Sequence, residues 1–152
     1  MSDNNTQKLG KIILVEDDEG HATLVKINLE DVGINNEIVH LKDGKEALEY
    51  LQDSKNQKEI LFILLDINLP IVTGFEVLEY LKNNQDTKSI PVLILTTSNN
   101  QRDIKKCHEL GCNLYISKPI DYNLFCQIIN NLGSIVPAIE TTNKHDLDSL
   151  LP

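Results

Sequence analysis

The stretch Ile60-Leu61-Phe62-Ile63-Leu64-Leu65-Asp66-Ile67-Asn68-Leu69-Pro70 decides the fold. Its first six residues are apolar without polar alternation, so a strand built from them has both faces covered. Strands of that kind belong to parallel sheets packed between helices, because a crossover helix must carry the chain back before a parallel neighbour can start. Ile12-Ile13-Leu14-Val15, Val92-Leu93-Ile94-Leu95 and the shorter Leu114-Tyr115-Ile116 share this character. A strand from Glu37 to Leu41 completes a set of five.

Helical spacing fills the intervals. Ala22, Val25, Leu29 and Val32 mark a first helix, capped by Asp17 or Asp18 and stopped at Gly33. A second follows Asp43-Gly44 through Ala47, Leu48 and Leu51, and the polar stretch from Gln52 to Glu59 reads as a loop. A third opens at Gly74 with Val77, Leu78 and Leu81, and a fourth runs from about Arg102 to Leu110 before Gly111. Asp121 caps a fifth carrying Leu124, Phe125, Ile128, Ile129 and Leu132 up to Gly133. The fold class expected is α/β, a doubly wound five-stranded parallel sheet of (βα)5 type. Residues 1–10 read as a disordered lead-in, 11–133 as the folded domain and 134–152 as an extension with at most one short helix near Asp146 to Leu151.

The formal net charge of -9 argues against direct DNA or RNA binding, which needs a basic footprint. Cys107, Cys112 and Cys126 are odd in number and lack metal-site spacing, so free thiols in a reducing compartment are expected. The polar N-terminus has no signal-peptide core, and no apolar run is long enough for a membrane span. A soluble, cytoplasmic protein with no membrane contact is the expectation.

The strand ends carry the chemistry. Glu16, Asp17 and Asp18 follow the first strand, Asp66 ends the third, Thr96 the fourth, and Lys118-Pro119 closes the fifth. Ligands of open α/β sheets bind beyond the carboxyl ends of the strands. Carboxylates, a hydroxyl and an ammonium gathered there suit a magnesium ion and a phosphoryl group, since Mg²⁺ prefers hard oxygen ligands. Packing three anions together without a cation is costly, so the cluster itself predicts a metal. Each residue alone has a plainer reading: Asp17 to Glu19 favour a helix N-terminus, Asp66 could cap a helix, and Thr96 could be a turn residue.

Four segments, Ile13-Leu14-Val15-Glu16-Asp17-Asp18, Leu65-Asp66-Ile67-Asn68-Leu69-Pro70 with Gly74, Leu95-Thr96-Thr97-Ser98 and Tyr115-Ile116-Ser117-Lys118-Pro119, stand in a fixed order, with 30 residues from Asp66 to Thr96 and 22 from Thr96 to Lys118. In that order and spacing, residues 11–132 resemble the receiver domain of two-component response regulators. The resemblance implies strand order 2-1-3-4-5 and makes Asp66 the phosphoacceptor. It implies a Mg²⁺ shell of Asp17, Asp66, the backbone carbonyl of Asn68 and water, with Glu16 acting through water. Lys118 would pair with phosphoryl oxygens, ahead of a Lys118–Pro119 bond that is usually cis in the family. Thr96 and Tyr115 match the switch pair, in which the ring turns inward as the threonine moves. Thr97 falls where the family favours small residues, and Asn68 and Ser98 flank the site, where they would tune hydrolysis. Asp18 serves the helix cap, and His21 reads as a helix-face residue. Leu24 and Ile27 lie on the face that docks a sensor histidine kinase in the family.

The closer likeness, carried by His21-Ala22-Thr23-Leu24-Val25-Lys26, the stretch Gln52 to Glu59, Thr96-Thr97-Ser98 and the extended tail, is to small regulators paired with cyanobacterial phytochrome kinases. Such regulators often form homodimers through the fourth helix, fifth strand and fifth helix, where Tyr122 and Phe125 are candidate contacts. The residues after Gly133 are too few for an output domain, so signalling is expected to run through protein contacts. The protein is expected to be no enzyme beyond its own Mg²⁺-dependent phosphorylation and dephosphorylation. Two rivals stay open: a phosphorylation-independent adaptor, and a Mg²⁺-dependent phosphatase with an aspartyl-phosphate intermediate. The haloacid-dehalogenase type of the latter needs a second aspartate where this chain has Asn68. A flavodoxin is excluded, because no phosphate-binding loop rich in Ser, Thr and Gly follows the first strand.

Overall fold

A computed structural model describes residues 10–31 and 33–118, together with Leu124 and Gln127. Strands β1 (Lys11–Val15), β2 (Ile38–Leu41), β3 (Ile60–Leu65), β4 (Val92–Thr96) and β5 (Leu114–Ser117) form one parallel sheet in the order β2-β1-β3-β4-β5. Helices α1 (Glu19–Asp31), α2 (Gly44–Gln52), α3 (Gly74–Asn83) and α4 (Gln101–Leu110) supply the crossovers between them. The doubly wound sheet expected from the unalternating apolar runs is therefore present. Part of the sequence reading lies outside the described residues: the lead-in before Gly10, Val32, Pro119, most of the fifth helix with Tyr122, Phe125 and Cys126, and the extension over 134–152. Leu124 is helical and packs, partly buried, beneath the sheet.

Successive strand residues point to opposite faces, and both faces are dry. Ile13, Val15, Ile63, Leu65, Val92 and Ile94 pack with Ala47 and Leu51 of α2, Val77, Leu78 and Leu81 of α3 and Cys107 of α4. Ile12, Leu14, Phe62, Leu64, Leu93 and Leu95 pack with Ala22, Val25 and Leu29 of α1. Each fully buried side chain of this kind contributes roughly 1.5–3 kcal/mol. That dry centre is what holds polar strand ends in place. Cys107 and Cys112 are both buried free thiols, as expected, and burial pushes the Cys107 thiol up to about 12. Among the described residues, no helix is long and apolar enough to cross a membrane.

Two boundaries differ from the sequence reading. Strand β2 starts at Ile38, not Glu37; Glu37 supplies its carbonyl, which accepts from the Ile12 N–H at 2.9 Å. The expected loop from Gln52 to Glu59 contains a helical turn, Ser54–Gln57, whose cap is Asp53. Polar side chains hold that turn: Asn56 Nδ2 donates to the Tyr50 carbonyl and Gln57 Nε2 to the Leu51 carbonyl. These bonds satisfy carbonyls at the end of α2, so the turn needs no apolar face to form. At the end of α4, Gly111 takes φ 102°, and the N–H groups of Gly111 and Cys112 both close back on the Cys107 carbonyl.

Gly74 fixes how α3 leaves the site. Its N–H donates to the Ile67 carbonyl at 3.1 Å, and Thr73 caps the helix. A Cβ at Gly74 would lie 2.2 Å from the Asp66 carbonyl oxygen and 2.4 Å from Ile67 Cα, so the backbone that carries Asp66 would have to move. Gly74→Ala is expected to lower stability by about 3 kcal/mol in chemical denaturation, the upper end of ordinary overpacking costs. Gly20→Ala, where a Cβ would meet only the Asp18 side chain at 3.2 Å, is the control and should cost far less.

Candidate functional site

The backbone aligns the four strand ends before any side chain is placed. The Glu16 N–H donates to the Leu41 carbonyl, the Asp66 N–H to the Val15 carbonyl, and the Lys118 N–H to the Thr96 carbonyl, at 3.1, 3.1 and 2.6 Å. Each bond carries the parallel ladder one residue past the strands. Glu16, Asp66, Thr96 and Lys118 therefore emerge at one edge. Glu16 is 2% exposed, Asp66 7% and Thr96 0%, while Asp17 reaches solvent.

Carboxylate oxygens of Glu16, Asp17 and Asp66 lie within 4.8 Å of one another. At that separation, two like charges repel by roughly 3 kcal/mol at an effective dielectric near 20. The Lys118 ammonium offsets part of this. It forms an ion pair with Glu16 Oε1 and stands 4.0 Å from Asp66 Oδ2. Burial nevertheless raises the Glu16 carboxyl above its ordinary value; the Lys118 hydrogen bond lowers it and the Asp66 charge raises it again. One ammonium against three carboxylates leaves negative charge over, and the oxygen-only donor set fits a hard divalent cation.

The remaining polar atoms orient the phosphoacceptor candidate. Asn68 donates its backbone N–H to Asp66 Oδ1 at 3.0 Å and its Nδ2 to Thr96 Oγ1 at 3.3 Å. Thr96 Oγ1 also accepts from the Ser98 N–H at 3.4 Å. Tyr115 is already inward, 5% exposed, and its hydroxyl donates to the Ser98 carbonyl at 2.8 Å. Ser117 Oγ donates to that same carbonyl at 3.1 Å. Ser98 was expected to flank the site. Its own hydroxyl donates to Asp103 Oδ2 of α4 at 2.6 Å, so Ser98 ties the loop after β4 to α4 and β5. Thr97 is exposed.

Asp18 serves α1, as expected: its Oδ1 accepts from the His21 N–H at 2.9 Å. Two histidines were not foreseen at the site. His40 Nε2 lies 2.7 Å from the Glu16 carbonyl oxygen, tying β2 to the end of β1. His21 Nδ1 lies 3.2 Å from Lys118 Nζ and 3.8 Å from Glu16 Oε1, so it is a member of the cluster as well as a helix-face residue. The sequence held one clue to His21. A residue three after the cap sits in the first turn, directly above the strand end.

A doubly wound sheet with three carboxylates, a buried threonine and a lysine converging at its carboxyl edge has the architecture of the receiver class. Comparison with known proteins agrees: the response regulator receiver domain family matches residues 12–130, and the chain belongs to that family. Response regulator Rcp1 of Synechocystis sp. is 42% identical over 110 residues, 70% of this chain and 75% of that protein. The crystal structure of the Mn²⁺-bound form of Rcp1 superposes with a TM-score of 0.70 at 36% identity, covering 88% of this chain and 97% of that one. The phosphorylated cyanobacterial phytochrome response regulator RcpA gives 0.69 at 35% identity, covering 88% and 96%.

The raised Glu16 carboxyl has a stability consequence. The folded state holds this proton more tightly than the unfolded state, so stability is lost as pH rises from the ordinary value of 4.5 through the folded value. Glu16→Gln removes that titration. With chelator present, the variant should match the wild type in thermal midpoint near pH 4.5 and exceed it at pH 7. A difference that stays constant with pH would contradict the burial account.

Proposed function

We propose that this chain is a single-domain response regulator that takes a phosphoryl group from a histidine kinase onto Asp66. The observation that carries the reading is the setting of that carboxylate: Oδ1 accepts from the Asn68 N–H, while the Lys118 ammonium stands 4.0 Å from Oδ2 without a hydrogen bond to it. An oxygen of Asp66 attacks phosphorus in line as the phosphorus–nitrogen bond of the phosphohistidine breaks, and the departing imidazole keeps that bond's electron pair. Asp17, Asp66 and the Asn68 carbonyl, with Glu16 through water, are the groups that would hold Mg²⁺. When bound, the ion supplies charge neutralisation for the transferring group in a loose transition state.

The chain's own residues do the positioning. Lys118 pairs with phosphoryl oxygens, and Thr96 bonds another once its hydroxyl leaves Asn68 and Ser98. Because Ser98 also holds Tyr115 and, through Asp103, α4, that movement reaches the surface formed by α4 and β5. Hydrolysis of the acyl phosphate resets the protein, whose turnover is confined to its own modification. Leu24 and Ile27, each 49% exposed on α1, suit the kinase-docking face. The likeness to the cyanobacterial phytochrome response regulator RcpA favours a phytochrome-type kinase as donor. Residues 11–133 would act as the receiver and 134–152 as an extension. Homodimerisation through α4, β5 and the fifth helix, a cytoplasmic location and signalling without DNA contact complete the reading.

Incubation with acetyl phosphate and Mg²⁺, followed by intact-mass spectrometry, tests it. One phosphoryl group should appear on the wild type and be lost with EDTA or with Asp66→Asn. An unmodified wild-type mass, under conditions that label another receiver, would leave the phosphorylation-independent adaptor as the better account.

A further inference from the structure

The contact between His21 and Lys118 is not accounted for by the roles above. An ammonium has three donors and no acceptor, so at this 3.2 Å contact the imidazole Nδ1 is the acceptor and Lys118 Nζ the donor. The same Nδ1 lies 3.8 Å from Glu16 Oε1, so the imidazole also borders the buried carboxylate. His21 is 45% exposed in its side chain, Lys118 11% and Glu16 3%. The ammonium is thus gripped from the protein side by Glu16 and from the solvent side by the imidazole. Asp66 Oδ2, at 4.0 Å, lies just beyond hydrogen-bond reach.

We propose that His21 is a positioning residue for Lys118, holding the ammonium back from Asp66 so that the carboxylate stays available to a phosphoryl group and a metal ion. The proposal rests on the receiver reading. A lysine stem has four rotatable carbons, and an anchor at Glu16 alone leaves the head free to swing about that point. Asp66 Oδ2, 4.0 Å away, lies within reach of that swing. Without the outer acceptor, the ammonium settles between Glu16 and Asp66, where it withdraws charge from the nucleophile and competes with a cation. With it, the head is parked one short movement from the incoming phosphoryl oxygens.

The chemistry supplies a discriminating pair of variants. Asparagine places Oδ1 at the same bond separation from Cβ as histidine places Nδ1, and it accepts a hydrogen bond there; leucine fills similar space and accepts none. Both keep the backbone N–H that Asp18 caps. His21→Leu should slow labelling by acetyl phosphate about tenfold, the value of one charge-assisted hydrogen bond. It should also weaken Mg²⁺ binding several-fold, read by calorimetry on the unphosphorylated protein at pH 8. His21→Asn should restore both to within about twofold of the wild type. NMR of the Lys118 ammonium adds a direct readout: its protons should exchange slowly in the wild type and His21→Asn, and fast in His21→Leu. Wild-type behaviour of His21→Leu in rate and Mg²⁺ affinity would overturn the proposal, as would an Asn variant as impaired as the Leu variant. If the wild type takes no phosphoryl group, the receiver reading fails, while the Mg²⁺ and ammonium measurements still decide whether His21 holds Lys118.

Discussion

The Lys118 ammonium facing the carboxylates of Glu16, Asp17 and Asp66 is the interaction on which the site depends. A buried ion pair seldom stabilises a fold, because desolvating two charges offsets their attraction. Here the arithmetic is worse, since one cation meets three anions, and burial, with the Asp66 charge adding to it, raises the Glu16 carboxyl in the resting protein. Such an arrangement persists when the surrounding structure is stable enough to carry it and when a ligand can relieve it. A divalent cation and a phosphoryl group are complementary ligands for that purpose: the first takes up the carboxylate charge, and the second gives the ammonium a new partner.

The sheet carries the cost. Apolar side chains on both faces of β1, β3 and β4 hold the strand ends in register, and ladder bonds continuing one residue past those strands fix the polar edge. The connections are fitted closely to that edge. Gly74 lets α3 start against the Asp66 backbone, and the Ser98 carbonyl gathers two hydroxyls from β5. The loop after β4 thus links Thr96, which faces the site, to α4, which faces outward. Two hydrogen bonds make that link, from the Ser98 N–H to Thr96 Oγ1 and from the Ser98 hydroxyl to Asp103 Oδ2.

The residues legible in the sequence were those whose position follows from the chain alone. Asp66, Thr96 and Lys118 each terminate an apolar run, so their place at the carboxyl edge follows from strand periodicity; the pairing of roles came from family resemblance. Asp18 was legible as a cap because capping is local. His40 was not, because its contact joins segments 24 residues apart, and for His21 the cap spacing places the ring above the strand end without announcing its partner Lys118, 97 residues away. The helical turn Ser54–Gln57 was missed for a different reason: it is held by amide side chains on backbone carbonyls and leaves no apolar period to read. Ser98 was correctly placed near the site, but its tie to Asp103 is a choice of rotamer that sequence does not encode.

The central claim is that the carboxylate cluster at the sheet edge is a divalent-cation site. Anomalous diffraction from crystals grown with Mn²⁺ tests it most directly. The account predicts a peak between Asp17 and Asp66 on the Glu16 side of the cluster, absent from crystals of Asp17→Asn grown in the same way. A well-ordered edge with no peak there, or a peak only at some other group of carboxylates, would contradict it.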